Sequence, residues 1–425
     1  MVRSRCAQRS TTAARNDLTE ESTALERAHR NEWGRLLALL VARFRRLDLA
    51  EDALADAYER AARTWPLEGV PTNPAGWLLT TARNRVLDRL RSEAVLARSM
   101  PLLAVDSELT EAAQRVMADP GDELLDERLR LVLLCAHPRL SREAAAGLTL
   151  RLVLGVSTED VARLFLQSTS TMAARLTRAR KKLAGETFAV PAPGDLPDRV
   201  AVVADVAYLA FTAGYAPGSG PDVLRADLAG EAIRLVRVLR TLLPYDDREL
   251  AALQALMLLQ HSRRDARVRD GDLVLLPDQD RSQWNHDEVH EAIDLLQPLV
   301  GDPPAPYLLQ ALIAAEHATA ASAAATAWDR IVARYDELLA LHDTPVVRLA
   351  RAVALAEAEG PAAGLAALAG VALPGHRLPA TRAELLARLG DHTRARASYD
   401  AAIALCANAA ERAHLLRRRD ALPPP

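Results

Sequence analysis

The stretch GVSTEDVARLFLQSTSTMAARLTRARKKL, residues 155–183, has the parts of two helices joined by a short turn. Ser157 suits the N-cap of the first helix, and Asp160 supplies an acidic residue in its first turn. We expect the turn at residues 166–169. In the second helix, apolar residues recur at spacings of four, three and four and so share one buried face. These residues are Met172, Leu176, Ala179 and Leu183.

The opposite face of the second helix is small, polar and basic. It carries Ser170, Thr171, Ala174, Arg175 and Arg178, and the helix ends on Arg180, Lys181 and Lys182. A basic last turn complements the helix dipole in any protein, but here no acid interrupts the bases after Arg175, which favours nucleic acid. Hydroxyls and Arg175 suit base edges in a major groove, and the basic end suits phosphates. The pattern predicts a DNA-binding helix-turn-helix.

The composition limits how the whole chain could bind DNA. The net charge of −3 argues against non-specific coating of nucleic acid, so DNA contacts must be local. A length of 425 residues indicates several domains, and helical periodicity dominates throughout, which predicts an all-α fold. One β-hairpin is expected in ARVRDGDLVLL, around Asp270-Gly271, since Asp-Gly favours a tight turn. The aspartate spacing there does not fit a calcium loop.

Glycine and proline clusters and an acidic stretch divide the chain. The predicted parts are a disordered arm (1–22), a helical bundle (23–98), an acidic linker (99–126), the helix-turn-helix domain (127–188), a helical extension (189–300) and helical repeats (301–420).

Two helices stand out in the first bundle. LAEDALADAYERAARTW has an apolar stripe and an acidic surface, and NPAGWLLTTARNRVLDRLR has a buried face opposite an amide- and arginine-bearing one. The predicted buried residues are Leu54, Tyr58, Ala61 and Trp65 in the first helix, and Leu79, Ala82, Val86 and Leu90 in the second. Each helix alone is more typical of a solvated surface than of a binding site.

In this order, the two helices and the helix-turn-helix resemble the extracytoplasmic-function (ECF) members of the sigma-70 family. The resemblance implies that the acidic helix docks on core RNA polymerase, the next helix handles the −10 promoter element, and the helix-turn-helix reads the −35 element. The implied polymerase contacts are Glu51, Asp52, Asp56 and Tyr58, and the implied −10 residues are Trp77, Arg83, Asn84 and Arg91. Asn84 has a donor and an acceptor on one amide, which suits a base edge. The linker would follow the RNA exit path.

At two places the sequence departs from the family pattern and lacks a side chain that the family usually uses for contact. Ala55 stands where the family usually has glutamine, and Ala173 and Ala174 stand where many members have basic or amide side chains. Base recognition would then depend on Ser170, Thr171 and Arg175, with help from DNA shape.

The C-terminal half carries a repeat signature. LARLGDHTRARASYDAAIAL matches the tetratricopeptide pattern, with Ala395, Tyr399 and Ala402 as its small-large-small face. YLAFTAGYAPGSG, RADLAGEAIRLVRVL and LLPDQDRSQWNHDEV further resemble the extension of one sigma group. That resemblance implies regulation through the extension, with a regulatory protein or the factor's own DNA-binding domains on the repeats.

Other functions find less support in the sequence. Cys6, Cys135 and Cys406 are too scattered for a disulfide framework, and Cys135 with His137 lacks a second pair for zinc. Polar candidates for catalysis are Asp278, Asp280, His286 and His290, but their spacing gives no catalytic constellation. We expect no enzyme, no cofactor, no metal, no signal peptide, no membrane segment and a cytoplasmic location. The alternative is a helix-turn-helix regulator that acts without polymerase.

Overall fold

The computed structural model describes residues 24–29, 31–97, 122–165, 167–183, 186, 188–215, 226–269 and 272–423. The predicted N-terminal arm and most of the acidic linker lie outside these residues. The chain forms two compact units, Met1–Val206 and Ala207–Pro425. Within the described residues the structure is helical apart from one two-stranded hairpin, which confirms the predicted all-α fold.

The first unit is built from short and medium helices. Residues 24–29 are helical, and the helices that follow are α1 (31–44), α2 (Leu47–Glu68), α3 (Pro74–Ala97), α4 (Asp122–Cys135), α5 (Arg142–Leu152), α6 (Thr158–Leu164), α7 (Thr169–Leu183) and the start of α8 (Leu196–Tyr215). Since α4 begins at Asp122, the linker predicted to reach residue 126 ends earlier. Acidic residues are favourable in a first helical turn, where they complement the dipole.

The core of the first bundle follows the predicted periodicity. The stripe of α2 is buried at Leu54, Tyr58, Ala61 and Trp65. On α3, Leu79, Ala82 and Val86 are buried, whereas Leu90 is only half-buried. Because α2 and α3 pack against each other, these apolar faces form one core and leave the polar faces outward.

The second unit begins within α8 and continues as α9 (Ala226–Leu242), α10 (Arg248–His261) and the hairpin β1 (Val268–Arg269) and β2 (Asp272–Leu273). Val268 pairs with Leu273 and Arg269 with Asp272, in antiparallel register, which confirms the predicted hairpin. Helix α10 is buried almost all round, because it packs on α9 and on two later helices. Those later helices are α11 (His286–Leu296) and α12 (Pro306–Thr319).

The C-terminal helices pack mainly against their neighbours in sequence. They are α13 (Trp328–Leu341), α14 (Pro345–Ala358), α15 (Pro361–Ala367), α16 (Arg377–Arg388), α17 (His392–Leu405) and α18 (Ala409–Asp420). Ala395, Tyr399 and Ala402 are buried on α17, as the repeat pattern predicts. Gly390, at φ +79°, ends the preceding helix in a conformation that favours glycine.

Candidate nucleic-acid interface

The helix-turn-helix begins with a capped helix. The Ser157 hydroxyl accepts a hydrogen bond from the backbone amide of Asp160 at 3.0 Å and donates one to the Asp160 carboxylate at 2.7 Å. Ser168 caps α7 in the same way, accepting from the amide of Thr171 at 3.1 Å. Thr169, which the sequence placed in the turn, is therefore the first residue of α7. Both caps satisfy amides that a helix start leaves unpaired.

Helix α7 has the two faces that its spacing predicts. Met172, Leu176, Ala179 and Leu183 are all buried. The predicted DNA-facing residues Ser170, Thr171, Ala174, Arg178, Lys181 and Lys182 are all exposed. The buried seam fixes the rotation of the helix, so its polar and basic surface remains accessible within the first unit.

Two predicted DNA-binding arginines are paired with side chains of the same protein. Arg175 forms an ion pair with Glu143 at 2.9 Å, and it also donates to the amide oxygen of Gln167, at 3.0 and 3.1 Å in the amide orientation that satisfies both groups. Arg180 donates to a carboxylate oxygen of Glu51 at 2.5 Å. Binding DNA through either guanidinium therefore requires it to exchange a carboxylate for a phosphate or a base.

The acidic face of α2 is paired with the neighbouring helix. Asp56 accepts from Arg85 at 2.7 Å, and Asp52 accepts from Arg89 at 3.1 Å. The Asp56 carboxylate raises the pKa of Arg85 above its ordinary value. These are exposed ion pairs, which contribute little to stability and exchange partners readily. Both aspartates remain at the surface where the polymerase contact was expected.

Tyr58 does not share that surface. Its ring is buried against His29 and Trp33, with ring centroids 5.0 and 5.6 Å away, and its hydroxyl donates to the carbonyl of Ala28 at 3.1 Å. Burial raises the pKa of the phenol. This corrects the expectation that Tyr58 presents its side chain to polymerase, since the apolar stripe of α2 places it inside the bundle.

Glu51 is also buried, but against charged groups. One carboxylate oxygen accepts from Arg151 Nε at 2.7 Å and the other from Arg180 at 2.5 Å. The Glu51 side chain is 8% exposed. The role of Arg151 was not predicted, because no local pattern relates it to Glu51, which is 100 residues away.

The predicted −10 residues lie on α3 in different environments. Asn84 and Arg91 are exposed, while Arg83 and Trp77 are half-buried. The Trp77 ring meets Trp65 edge-on, at 5.8 Å between centroids, so α2 fixes its position. Arg91 pairs with Asp88 at 3.2 Å, one turn before it. The amide of Asn84 is exposed and so is accessible to a base.

The residues considered for catalysis or metal binding lie outside these helices. Asp278, Asp280, His286 and His290 are exposed, and Asp280 caps a single helical turn by accepting from Ser282 at 3.0 Å. Cys135 is buried, and burial raises the pKa of its thiol. Among the described residues, ligand-type atoms gather within 4.8 Å at His376, Cys406 and Glu411, where the histidine and the carboxylate already form an ion pair at 2.9 Å. None of the helices described is long and apolar enough to cross a membrane.

Three family models match parts of this chain. Residues 31–95 match the family model for sigma-70 region 2, residues 130–183 match sigma-70 region 4, and residues 199–299 match a family of unknown function, DUF6596. The first match covers α2 and α3, and the second covers the helix-turn-helix.

A curated relative shares nearly the whole length. "Uncharacterized protein R00370" of Rhizobium meliloti (strain 1021) is 40% identical over 396 residues, which cover 91% of this chain and 93% of that protein. No solved structure matches this chain. Since both sigma-70 regions occur in order and are followed by the DUF6596 region, the chain belongs to the sigma-70 family as an ECF-like factor with a C-terminal extension.

Proposed function

We propose that this protein binds core RNA polymerase and directs initiation at promoters whose −10 and −35 elements it recognises. The observation that carries this proposal is the surface of α7, where a buried seam leaves hydroxyls, Arg178, Lys181 and Lys182 exposed on one side. Region 2 and region 4 matches at α2–α3 and α4–α7 support the same role.

Region 2 and region 4 have different roles in this proposal. Asp52 and Asp56 on α2 bind polymerase, and Asn84 on α3 receives a base that leaves the stack during promoter opening. The N-terminal turns of α7, with Ser170 and Thr171, enter the major groove of the −35 element. Arg175, Arg178, Arg180, Lys181 and Lys182 add base or phosphate contacts.

The extension regulates this activity. Its buried repeat face on α17 supports a stack of helices of the kind that binds protein partners, so a regulatory protein is the expected ligand of the repeats. The factor acts in the cytoplasm, where core polymerase works, and it catalyses no reaction of its own.

Run-off transcription tests the proposal. Purified core polymerase is mixed with the full-length protein and a library of promoter fragments, and transcripts are sequenced. We expect transcripts that depend on the protein and share two promoter elements. If no fragment yields a transcript while the protein alone footprints DNA tightly, the protein is a helix-turn-helix regulator without a sigma role.

A further inference from the structure

The second unit holds a cluster of arginines around two aromatic rings. The guanidinium of Arg267 lies 3.9 Å from the ring centroid of Tyr215, and that of Arg281 lies 4.5 Å from the ring centroid of Trp284. Arg263 lies between the two rings, 5.8 Å from Tyr215 and 6.0 Å from Trp284. Stacking on rings fixes the planes of guanidinium groups while leaving their edges to donate hydrogen bonds.

The charge of this cluster is not balanced by carboxylates within the described part of the chain. There, Arg263 donates to the hydroxyl of Tyr215, Arg267 donates to the backbone oxygen of Tyr215 at 2.8 Å, and Arg281 donates to the backbone oxygens of His317 and Ala320 at 2.7 and 2.9 Å. All of these acceptors are neutral. By contrast, the adjacent Arg264 pairs with Glu288 at 2.9 Å.

Burial and the positive charge lower pKa values in and beside the cluster. Burial, followed by repulsion from Arg267 and Arg281, lowers the pKa of Arg263. Burial and the same kind of repulsion, from Arg263 and Arg281, lower the pKa of His317 to about 4. Trp284 is only 4% exposed, and its indole Nε1 has no hydrogen-bond partner among the described residues. The unpartnered donor needs an acceptor, and arginines whose acceptors are all neutral favour one that carries negative charge.

We propose that Arg263, Arg267, Arg281 and Trp284 form a binding site for a small phosphorylated anion. A phosphoryl group is a tetrahedral dianion that accepts hydrogen bonds from several guanidinium edges at once, and it balances more of this charge than a carboxylate does. Such a site would give the extension a chemical input in addition to protein partners.

Calorimetry and thermal unfolding of the full-length protein test this site. Inorganic phosphate and pyrophosphate are titrated at constant ionic strength, with acetate as the monoanion comparison. We expect saturable binding of at least one phosphate probe, and a rise in unfolding temperature that grows with its concentration. If wild-type protein shows no saturable binding at millimolar phosphate or pyrophosphate, or binds acetate equally well, the proposal is wrong.

Variants locate the site. Arg267→Gln and Arg281→Gln should weaken phosphate binding by about tenfold or more, because each removes a charged donor. Arg351→Gln is the matched control, since Arg351 pairs with Asp336 on the surface of the same unit. Equal affinity in all three variants would overturn the assignment to this cluster.

A second, independent observation concerns the interface within the first unit. Besides the ion pairs of Glu51 with Arg151 and Arg180, the Arg151 guanidinium lies 5.1 Å from the ring centroid of Trp33. The backbones also approach closely: a Cβ atom added at Gly34 on α1 would lie 2.1 Å from the carbonyl oxygen of Val153. The α1–α2 bundle is therefore in direct contact with the helix-turn-helix domain.

We infer that this contact is a closed state in which the factor masks one residue of each proposed binding surface, Glu51 and Arg180. This inference rests on the proposed function: Glu51 lies next to Asp52 on the helix proposed to bind polymerase, and Arg180 lies on the helix proposed to bind DNA, yet the two side chains pair with each other. Polymerase and promoter DNA would then compete with the contact. The apparent affinity for polymerase is lower when fewer molecules are open.

Gly34→Ala tests the closed state. The added methyl group favours helix α1 but cannot fit against Val153, so it should separate the two domains. Gly230→Ala on α9 is the matched control, because nothing lies within 4 Å of a Cβ atom there. Fluorescence energy transfer between dyes at Leu67 and Thr177 reports the opening, and circular dichroism checks folding.

We expect Gly34→Ala to lower energy transfer and to tighten core polymerase binding by about tenfold, with Gly230→Ala unchanged. Arg151→Ala, which leaves the proposed binding residues intact, should act in the same direction. Unchanged energy transfer in both Gly34→Ala and Arg151→Ala would overturn the closed state. If energy transfer shows that the domains separate but no variant binds core polymerase, the proposed sigma function is contradicted instead.

Discussion

The carboxylate of Glu51 and the guanidinium of Arg180 lie 2.5 Å apart, although 129 residues separate them in the chain. Glu51 lies on the acidic helix α2 of region 2, and Arg180 lies on α7 in region 4. The side chain of Glu51 is almost entirely buried, so this pair is screened far less by water than a surface pair.

A double-mutant cycle should detect this pair in the free energy of unfolding. Removing Glu51 alone leaves two arginines without their carboxylate, so Glu51→Ala should destabilise the first unit by about 3–5 kcal/mol. The coupling energy between Glu51→Ala and Arg180→Ala should be about 1–3 kcal/mol in urea unfolding. The exposed pair of Arg63 and Glu59, with side chains 71% and 66% exposed, serves as the control and should couple by about 0.5 kcal/mol or less. Equal coupling in the two cycles would contradict the buried pair.

The basic end of α7 should contribute to DNA affinity without sequence preference. Lys181→Ala removes an exposed charge that we propose contacts phosphates, so it should weaken binding to all fragments and reduce the salt slope of log K by about 1. Arg175→Ala should instead reduce discrimination between −35 sequences. Thr177→Ala, an exposed change on the same helix, is the control for both. Fluorescence anisotropy over a salt series measures these effects, and an unaltered slope in Lys181→Ala would argue against the phosphate contact.

The buried seam of α7 should matter for stability more than any residue of its exposed face. Leu176 is fully buried, so Leu176→Ala should cost about 2–5 kcal/mol of unfolding free energy through lost contacts and a cavity. Ala173→Ser, at an exposed position of the same helix, should change the unfolding free energy by no more than about 0.5 kcal/mol. Denaturant unfolding measures both changes. Similar values for the two would mean that α7 does not pack as described.

Acid should destabilise the second unit through His317. The folded-state pKa of this histidine is lowered to about 4, mainly by burial and then by Arg263 and Arg281. The unfolded chain binds the proton more readily than the folded one. The folded state is therefore not penalised by His317 above pH 6.5, and it loses stability as the pH falls towards 4. The loss is at most about 3 kcal/mol. His317→Gln cannot titrate, so its unfolding free energy should fall less than that of wild type between pH 7 and pH 5. Parallel pH profiles would contradict the buried neutral histidine.

The extension shows where sequence patterns were informative. Asp-Gly predicted the hairpin, and the small-large-small spacing predicted the buried face of α17, because turn chemistry and helical periodicity act over a few residues. The cluster of Arg263, Arg267 and Arg281 was not predicted. Each of these arginines resembles many surface arginines in sequence, and only the packing of the loop beside α11 on α8 and α12 brings them to Tyr215, Trp284 and His317.

Local sequence patterns were enough to predict the helices, their buried faces and the order of the two sigma regions. These features depend on local spacing, capping and turn residues, so the seam of α7 and the cap at Ser157 were predictable. Which charged groups are paired inside the protein and which are exposed could be seen only after the chain had folded. Glu51 is the buried partner of Arg151 and Arg180, because ion pairing depends on residues that are distant in sequence.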